Sequence, residues 1–226
     1  MIHEHLYSLL VTSVSTKWPM DRLKTKEKQF EYHPYAYYAN DVQLQHTNRP
    51  SGNHIKSKPF FLGKHSLYGV KSKVSVTSVG LAIHLSKIAK GSVADKQIML
   101  DNIDQHRQLT KKSANSMQLP DDGPFHEQYP RNWAIIMDKG YQGMLDSCRA
   151  VTPKKKPRNL PMPMADKAEN KKIASDRIIV ENFFGWLCLL WGLMQKNSIG
   201  VLIATTCTTN FVFHLQIFTS QGIHFM

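Results

Sequence analysis

Apolar and polar residues alternate along two stretches of the chain and recur at helical spacing along a third. Tyr35, Tyr37, Tyr38, Val42 and Leu44, with Ala36 and Ala39 between them, predict a strand over 35–45 that Asp41 interrupts. Further on, Tyr68, Val70, Ser72, Val74 and Val76 fall on one face and Lys71, Lys73, Ser75 and Thr77 on the other. A turn at Ser78-Val79-Gly80 then leads into Leu81, Ile83 and Leu85, so a hairpin is expected, its lysine face in solvent. Gly91-Ser92-Val93-Ala94-Asp95 predicts a helix capped by Ser92 and running to about Leu109. Residues 110–130 are polar and turn-rich. Trp133-Ala134-Ile135-Ile136-Met137 is a short continuous apolar run, the mark of a strand buried on both faces. A second short strand follows at Cys148–Pro153.

The helical stretch is expected from about Ala165 to Met194. Ile179, Phe183, Trp186 and Leu190 form one apolar stripe, with Ile173, Val180, Phe184, Leu187 and Trp191 beside it. A helix so apolar is expected inside the domain, where Glu181 would be costly unless a cation met it. Arg177 lies four residues earlier and only about 40° around the helix, so an Arg177–Glu181 pair is the simplest account.

Composition narrows the partners. The 226 residues hold 29 Lys+Arg against 17 Asp+Glu, a net charge of +12, which points to a polyanion such as nucleic acid. Cys148, Cys188 and Cys207 are too few and too far apart for a disulfide framework or a CxxC zinc site. The eleven histidines form no HExxH pair. The stretch 199–218 lacks charged residues, but its threonines, Asn210, His214 and Gln216 make it too polar for a membrane span. No membrane partner is expected. Three domains of unequal weight are expected: a basic lead-in at 1–34, the remnant of a truncated amino-terminal region, a main domain at 35–198, and an apolar segment at 199–226 that packs on it.

Three acids occupy conspicuous places: Asp41 within the first strand, Asp138 at the carboxyl end of a buried strand, and Glu181 on the long helix. Open α/β sheets bind ligands at that end of their strands. Three carboxylates on rigid elements are also what two divalent ions need to clamp the attacking and leaving oxygens in phosphoryl transfer. Lys154-Lys155-Lys156-Pro157-Arg158 adds four cations within five residues, a phosphate-contacting loop, a nuclear-import tag or a solvated run.

The chain resembles the DDE superfamily endonuclease domain of Harbinger-type transposases over roughly residues 35–195. The matching segments, in order, are Ala39–Gln45, Arg49–Gly52, Gly63–Lys71, Gly91–Asp95, Asp138–Gly143, Pro153–Pro157 and Asp176–Gly185. Lys90 and Trp186 stand where that family favours proline and a basic residue. The resemblance implies a ribonuclease H-like α/β fold, a mixed sheet flanked by helices. It also implies a triad of Asp41, Asp138 and Glu181 holding two divalent ions, Mg²⁺ or Mn²⁺. A metal-activated water would then cut a DNA strand, and the freed 3′-hydroxyl would attack target DNA. Arg177 is expected to orient or neutralise Glu181, and Lys139, Lys154, Lys155, Lys156 and Arg158 to contact the phosphate backbone. A nuclear location, a homo-oligomer when active and a separate DNA-binding protein supplying site recognition complete the expectation. The alternative is a catalytically inert transposon remnant or a co-opted DNA-binding protein.

Overall fold

The computed structural model describes residues 13–190; the apolar segment from 199 onward and the last turn expected of the long helix lie outside them. Two short helices come first, α1 (Ser13–Lys17) and α2 (Met20–Thr25), and then strand β1 (Ala36–His46). Helix α3 (His54–Ser57) leads to β2 (Phe61–Leu62), the long β3 (Leu67–Thr77), β4 (Ala82–Leu85) and β5 (Ala89–Lys90). Helices α4 (Asp95–Leu100) and α5 (Ile103–Thr110), strands β6 (Ala134–Ile136) and β7 (Ala150–Val151), and helix α6 (Met164–Leu190) complete the order.

The strands form one seven-stranded mixed sheet whose central path is β2-β3-β1-β6-β7. β1 and β3 run antiparallel over nine residue pairs, from Tyr38 opposite Thr77 to His46 opposite Gly69. β2, β5 and β4 line successive stretches of the other edge of β3. β6 is parallel to both β1 and β7, and it ends beside the end of β7 while β1 runs on. The hairpin is as the alternation predicts: Gly80 turns it at φ +78°, a conformation glycine adopts without Cβ strain. At Gly91 a Cβ would fall 2.3 Å from Leu62 Cδ1 and 2.7 Å from two backbone carbonyls, so the β5 turn packs there only because glycine has none.

Each face of the sheet carries its own apolar layer. On one, Ala39, Val74, Val76, Ile136 and Val151 pack against Ile173, Val180, Phe183 and Leu187 of α6. On the other, Tyr38, Ile135, Met137 and Ala150 pack against Met99 of α4 and Val14, Met20 and Leu23 of the first two helices. Each buried side chain of this size contributes on the order of 1.5–3 kcal/mol. Val14, Met20, Leu23 and Phe30, all before Tyr35, thus enter the same core.

Three local expectations are corrected. The helix predicted from Ser92 to Leu109 is two helices. Ala94, not Ser92, precedes its first turn, and the break falls at Asn102, whose amide donates to the Ile98 carbonyl at 2.7 Å. The lysine face of the hairpin is not solvated: Lys73 is fully buried and Lys71 is bonded to Asp95 Oδ1 at 2.8 Å, because α4 covers that face. Finally, α6 is buried on one side only, and Glu181 is exposed. The polar loop after α5 is held by a buried fork in which Arg149 donates to both oxygens of Asp121, at 2.6 and 2.8 Å, and Lys112 joins at 2.6 Å. Burial alone would raise the Asp121 carboxyl, but these hydrogen bonds and charges outweigh it and hold it down at about 2.

Candidate active site

The sheet register brings the two aspartates together. Ala39 of β1 and Ile136 of β6 are the last paired residues of the parallel strands, and both face α6. Asp41 and Asp138 each lie two residues further along. Asp138 is still extended at φ −71°, ψ 163°, so alternation turns both carboxylates to that same face. β6 ends there while β1 continues alongside β3, and the pair stands where the two strands part.

Arg177 reaches them from α6. Its Nη2 donates to Asp41 Oδ2 at 2.7 Å and its Nη1 to Asp138 Oδ1 at 3.2 Å, while its Nε is buried without a partner among the described residues. The second oxygen of Asp41 accepts the Val42 N–H at 2.8 Å. Burial pushes the Asp41 carboxyl above its usual value, and the Asp138 charge adds to this; Arg177 and the Val42 N–H oppose it. The aspartate side chains remain 28% and 43% exposed, so solvent and solute reach both.

The residue before Arg177 ties α6 to the segment that enters β1. Asp176 Oδ2 accepts the backbone N–H groups of Tyr32 and His33 and the His33 ring Nδ1 at 2.7 Å, and His33 Nε2 faces Glu169 Oε1 at 3.2 Å. With Asp176 directed inward alongside Ile173, Val180 and Phe183, Arg177 flanks the buried stripe and reaches the crevice. Glu181, about 40° further round, points to solvent.

The predicted site residues therefore divide. Asp41 and Asp138 come together, and Arg177 binds both rather than Glu181. Glu181 makes no hydrogen bond or ion pair among the described residues. It is not the buried charge that the apolar helix suggested. Lys139 is exposed beside Asp138. Lys154 is bonded to Asp166 at 2.6 Å, while Lys155, Lys156 and Arg158 are exposed. The Gln142 side chain donates to the Pro153 carbonyl at 3.0 Å, so this basic run leaves β7 next to the Asp138 loop.

Sequence reasoning missed Asp95 and Tyr141. Lys71 binds Asp95 and the Val93 carbonyl at the start of α4, and Lys96 reaches the carbonyls of Gln142 and Gly143 at 3.4 Å, which ties α4 to the Asp138 loop. Tyr141 is buried there with a hydroxyl unpartnered among the described residues, raised by burial and then by the Asp95, Asp41 and Asp138 charges. Asp95 lies in a segment that alone reads as a helix start.

Two hard oxygen donors turned toward one cation, both reachable from solvent, suit a Mg²⁺ or Mn²⁺ ion. The fit is to a pair: among the described residues no three Asp, Glu, His or Cys side chains gather closely enough to hold an ion. A seven-stranded mixed sheet between helices, with one aspartate in the middle of β1 and another just past the end of the parallel β6, is a ribonuclease H-like nuclease architecture. A family model described as DDE superfamily endonuclease matches residues 41–210, most of the chain, which therefore belongs to that family. No curated protein and no solved structure matches the chain.

Proposed function

We propose that the chain is the divalent-metal-dependent endonuclease domain of a Harbinger-type transposase, with DNA as its substrate. The observation that carries this reading is the convergence of Asp41, within β1, and Asp138, just past the carboxyl end of β6, on one cation. A divalent ion bound there would supply a Lewis acid for a phosphate oxygen and a water made nucleophilic near neutral pH. Asp41 and Asp138 would hold it through the oxygens that now face Arg177. Glu181, one turn beyond Arg177 on the exposed side of α6, is the third carboxylate in this reading. Lys139, Lys155, Lys156 and Arg158 would position the phosphate backbone without reading sequence.

The experiment is nicking of supercoiled plasmid in Mn²⁺ or Mg²⁺ by wild type, Asp41→Asn, Asp138→Asn and Glu181→Gln. Metal-dependent nicking is expected, lost by at least about 100-fold in both aspartate variants, as when an interaction made only in the transition state is removed. Nicking that survives both would sink the reading. The outward Glu181 favours a second reading, a DNA-binding protein without turnover. All four proteins binding DNA equally, with none cutting it, would establish that instead.

A further inference from the structure

We propose that Arg177 is the resident counter-cation of the Asp41/Asp138 pair and that a divalent ion binds only by displacing it, so that metal loading and release of Arg177 are one event. The proposal rests on the reading of this pair as the metal site. Its first support is geometric. Asp41 Oδ1 is engaged by the Val42 N–H, which leaves Oδ2 as the oxygen facing the crevice, and Oδ2 is the atom that Arg177 holds at 2.7 Å. The same guanidinium takes Asp138 Oδ1 at 3.2 Å, so an ion held by both carboxylates would compete with the fork for these oxygens.

The second support is charge. With Glu181 turned to solvent, two carboxylates and one guanidinium leave a single negative charge in the partly buried crevice, and a divalent ion with the two carboxylates leaves none. Ion and guanidinium together would leave an excess positive charge, with two cations in contact at a low effective dielectric. The third is the state of Arg177 itself. Its side chain is only 11% exposed, and among the described residues its Nε is buried and unpartnered and its two aspartate bonds are the ones that hold it there. Losing them to an ion removes what keeps the arginine in the crevice, and the exposed side of α6 is the direction open to it.

The test measures Mn²⁺ binding by titration calorimetry on the full chain without DNA, after removal of metal with chelator, and melting temperature in chelator and in Mn²⁺. Arg177→Met is expected to bind Mn²⁺ about tenfold tighter than wild type, a gain of about 1.4 kcal/mol. It is also expected to melt lower in chelator and to show a larger Mn²⁺-induced rise. Arg177→Lys keeps the charge but loses the fork, so it should fall between the two; it also serves if the methionine variant does not fold. Unchanged or weaker Mn²⁺ binding in both variants would overturn the displacement. The metal-site reading would still stand if wild-type binding is lost in Asp138→Asn. If wild type and both variants bind no Mn²⁺ that Asp138→Asn removes, the proposal and the metal-site reading fall together.

Discussion

Lys73 is fully buried in the layer between the sheet and α4, and among the described residues its amine meets the Met99 sulfur rather than a carboxylate. Burial pushes it down from 10.5 to about 7. Between those values the unfolded chain holds a proton that the folded chain does not, so Lys73 makes stability rise with pH across that window and weighs most at and below neutral pH. A pKa displaced by one pH unit is equivalent to about 1.4 kcal/mol. Lys73→Met is therefore expected to stabilise the fold by roughly 1–4 kcal/mol at pH 7, the range seen when buried charges give way to apolar side chains. The gain should shrink toward pH 10 in urea unfolding curves; an equal gain at both pH values, or a loss, would contradict this. Why Lys73 deceives at the sequence level follows from the same residues. Its alternation with Val70, Val74 and Val76 is legible, but alternation names the two faces of a strand and not what covers them. Asn40, Ser75 and His84 share the Lys73 face, side by side on neighbouring strands, and all are buried. Glu181 fails for a related reason: with apolar residues on most sides of α6, composition cannot say which side meets the sheet.

At the scale of elements, α6 is placed by a polar contact more than its pattern suggests. Asp176 accepts two backbone N–H groups and the His33 ring, and so joins the helix to the segment entering β1. Asp176→Ala would leave those donors buried without their acceptor, and it is expected to cost about 2–4 kcal/mol in chemical denaturation. Faster amide exchange should appear in α6 around Ile173–Val180, and Arg177 should lose its fixed approach to the aspartates. A cost below about 0.5 kcal/mol, the range of an ordinary surface change, would mean that the apolar stripe alone sets the helix. The strands were the most legible elements, because β1, the β3–β4 hairpin and β6 each carry a pattern dictated by their own burial. The helices were less so. The expected Ser92–Leu109 helix breaks at Asn102 because a side-chain amide captures a carbonyl there, which no periodicity shows. The Arg149–Asp121–Lys112 fork joins residues far apart in the chain, so the segment it secures reads only as a polar loop.

Across the whole molecule, the placement of charge matters more than its sum of +12. One group of exposed cations, Lys139, Lys155, Lys156 and Arg158, lies at the carboxyl end of β6 and β7, beside Asp138. Another, Arg22, Lys26 and Lys28, surrounds the Trp18 ring, with all three cations within 5.8 Å of its centroid, on and just after the helices that cover the opposite face of the sheet. If DNA lies across the aspartate crevice, only the first group neutralises its phosphates. Removing a single cation–phosphate pair flattens the dependence of log affinity on log salt by about 0.9 for duplex DNA. Exchanging Lys155, Lys156 and Arg158 together for glutamine is therefore expected to reduce that slope by about 2–3, equally for unrelated DNA sequences, because backbone contacts carry no sequence information. The matching exchange of Arg22, Lys26 and Lys28 removes the same formal charge and is expected to change the slope by less than one such pair would. Anisotropy titrations on two unrelated duplexes over a range of salt concentrations measure both. Equal losses from the two triple variants would show that DNA responds to net charge alone. A loss confined to the second would place DNA on the face away from the aspartates, and the crevice would then not be where this chain meets its substrate.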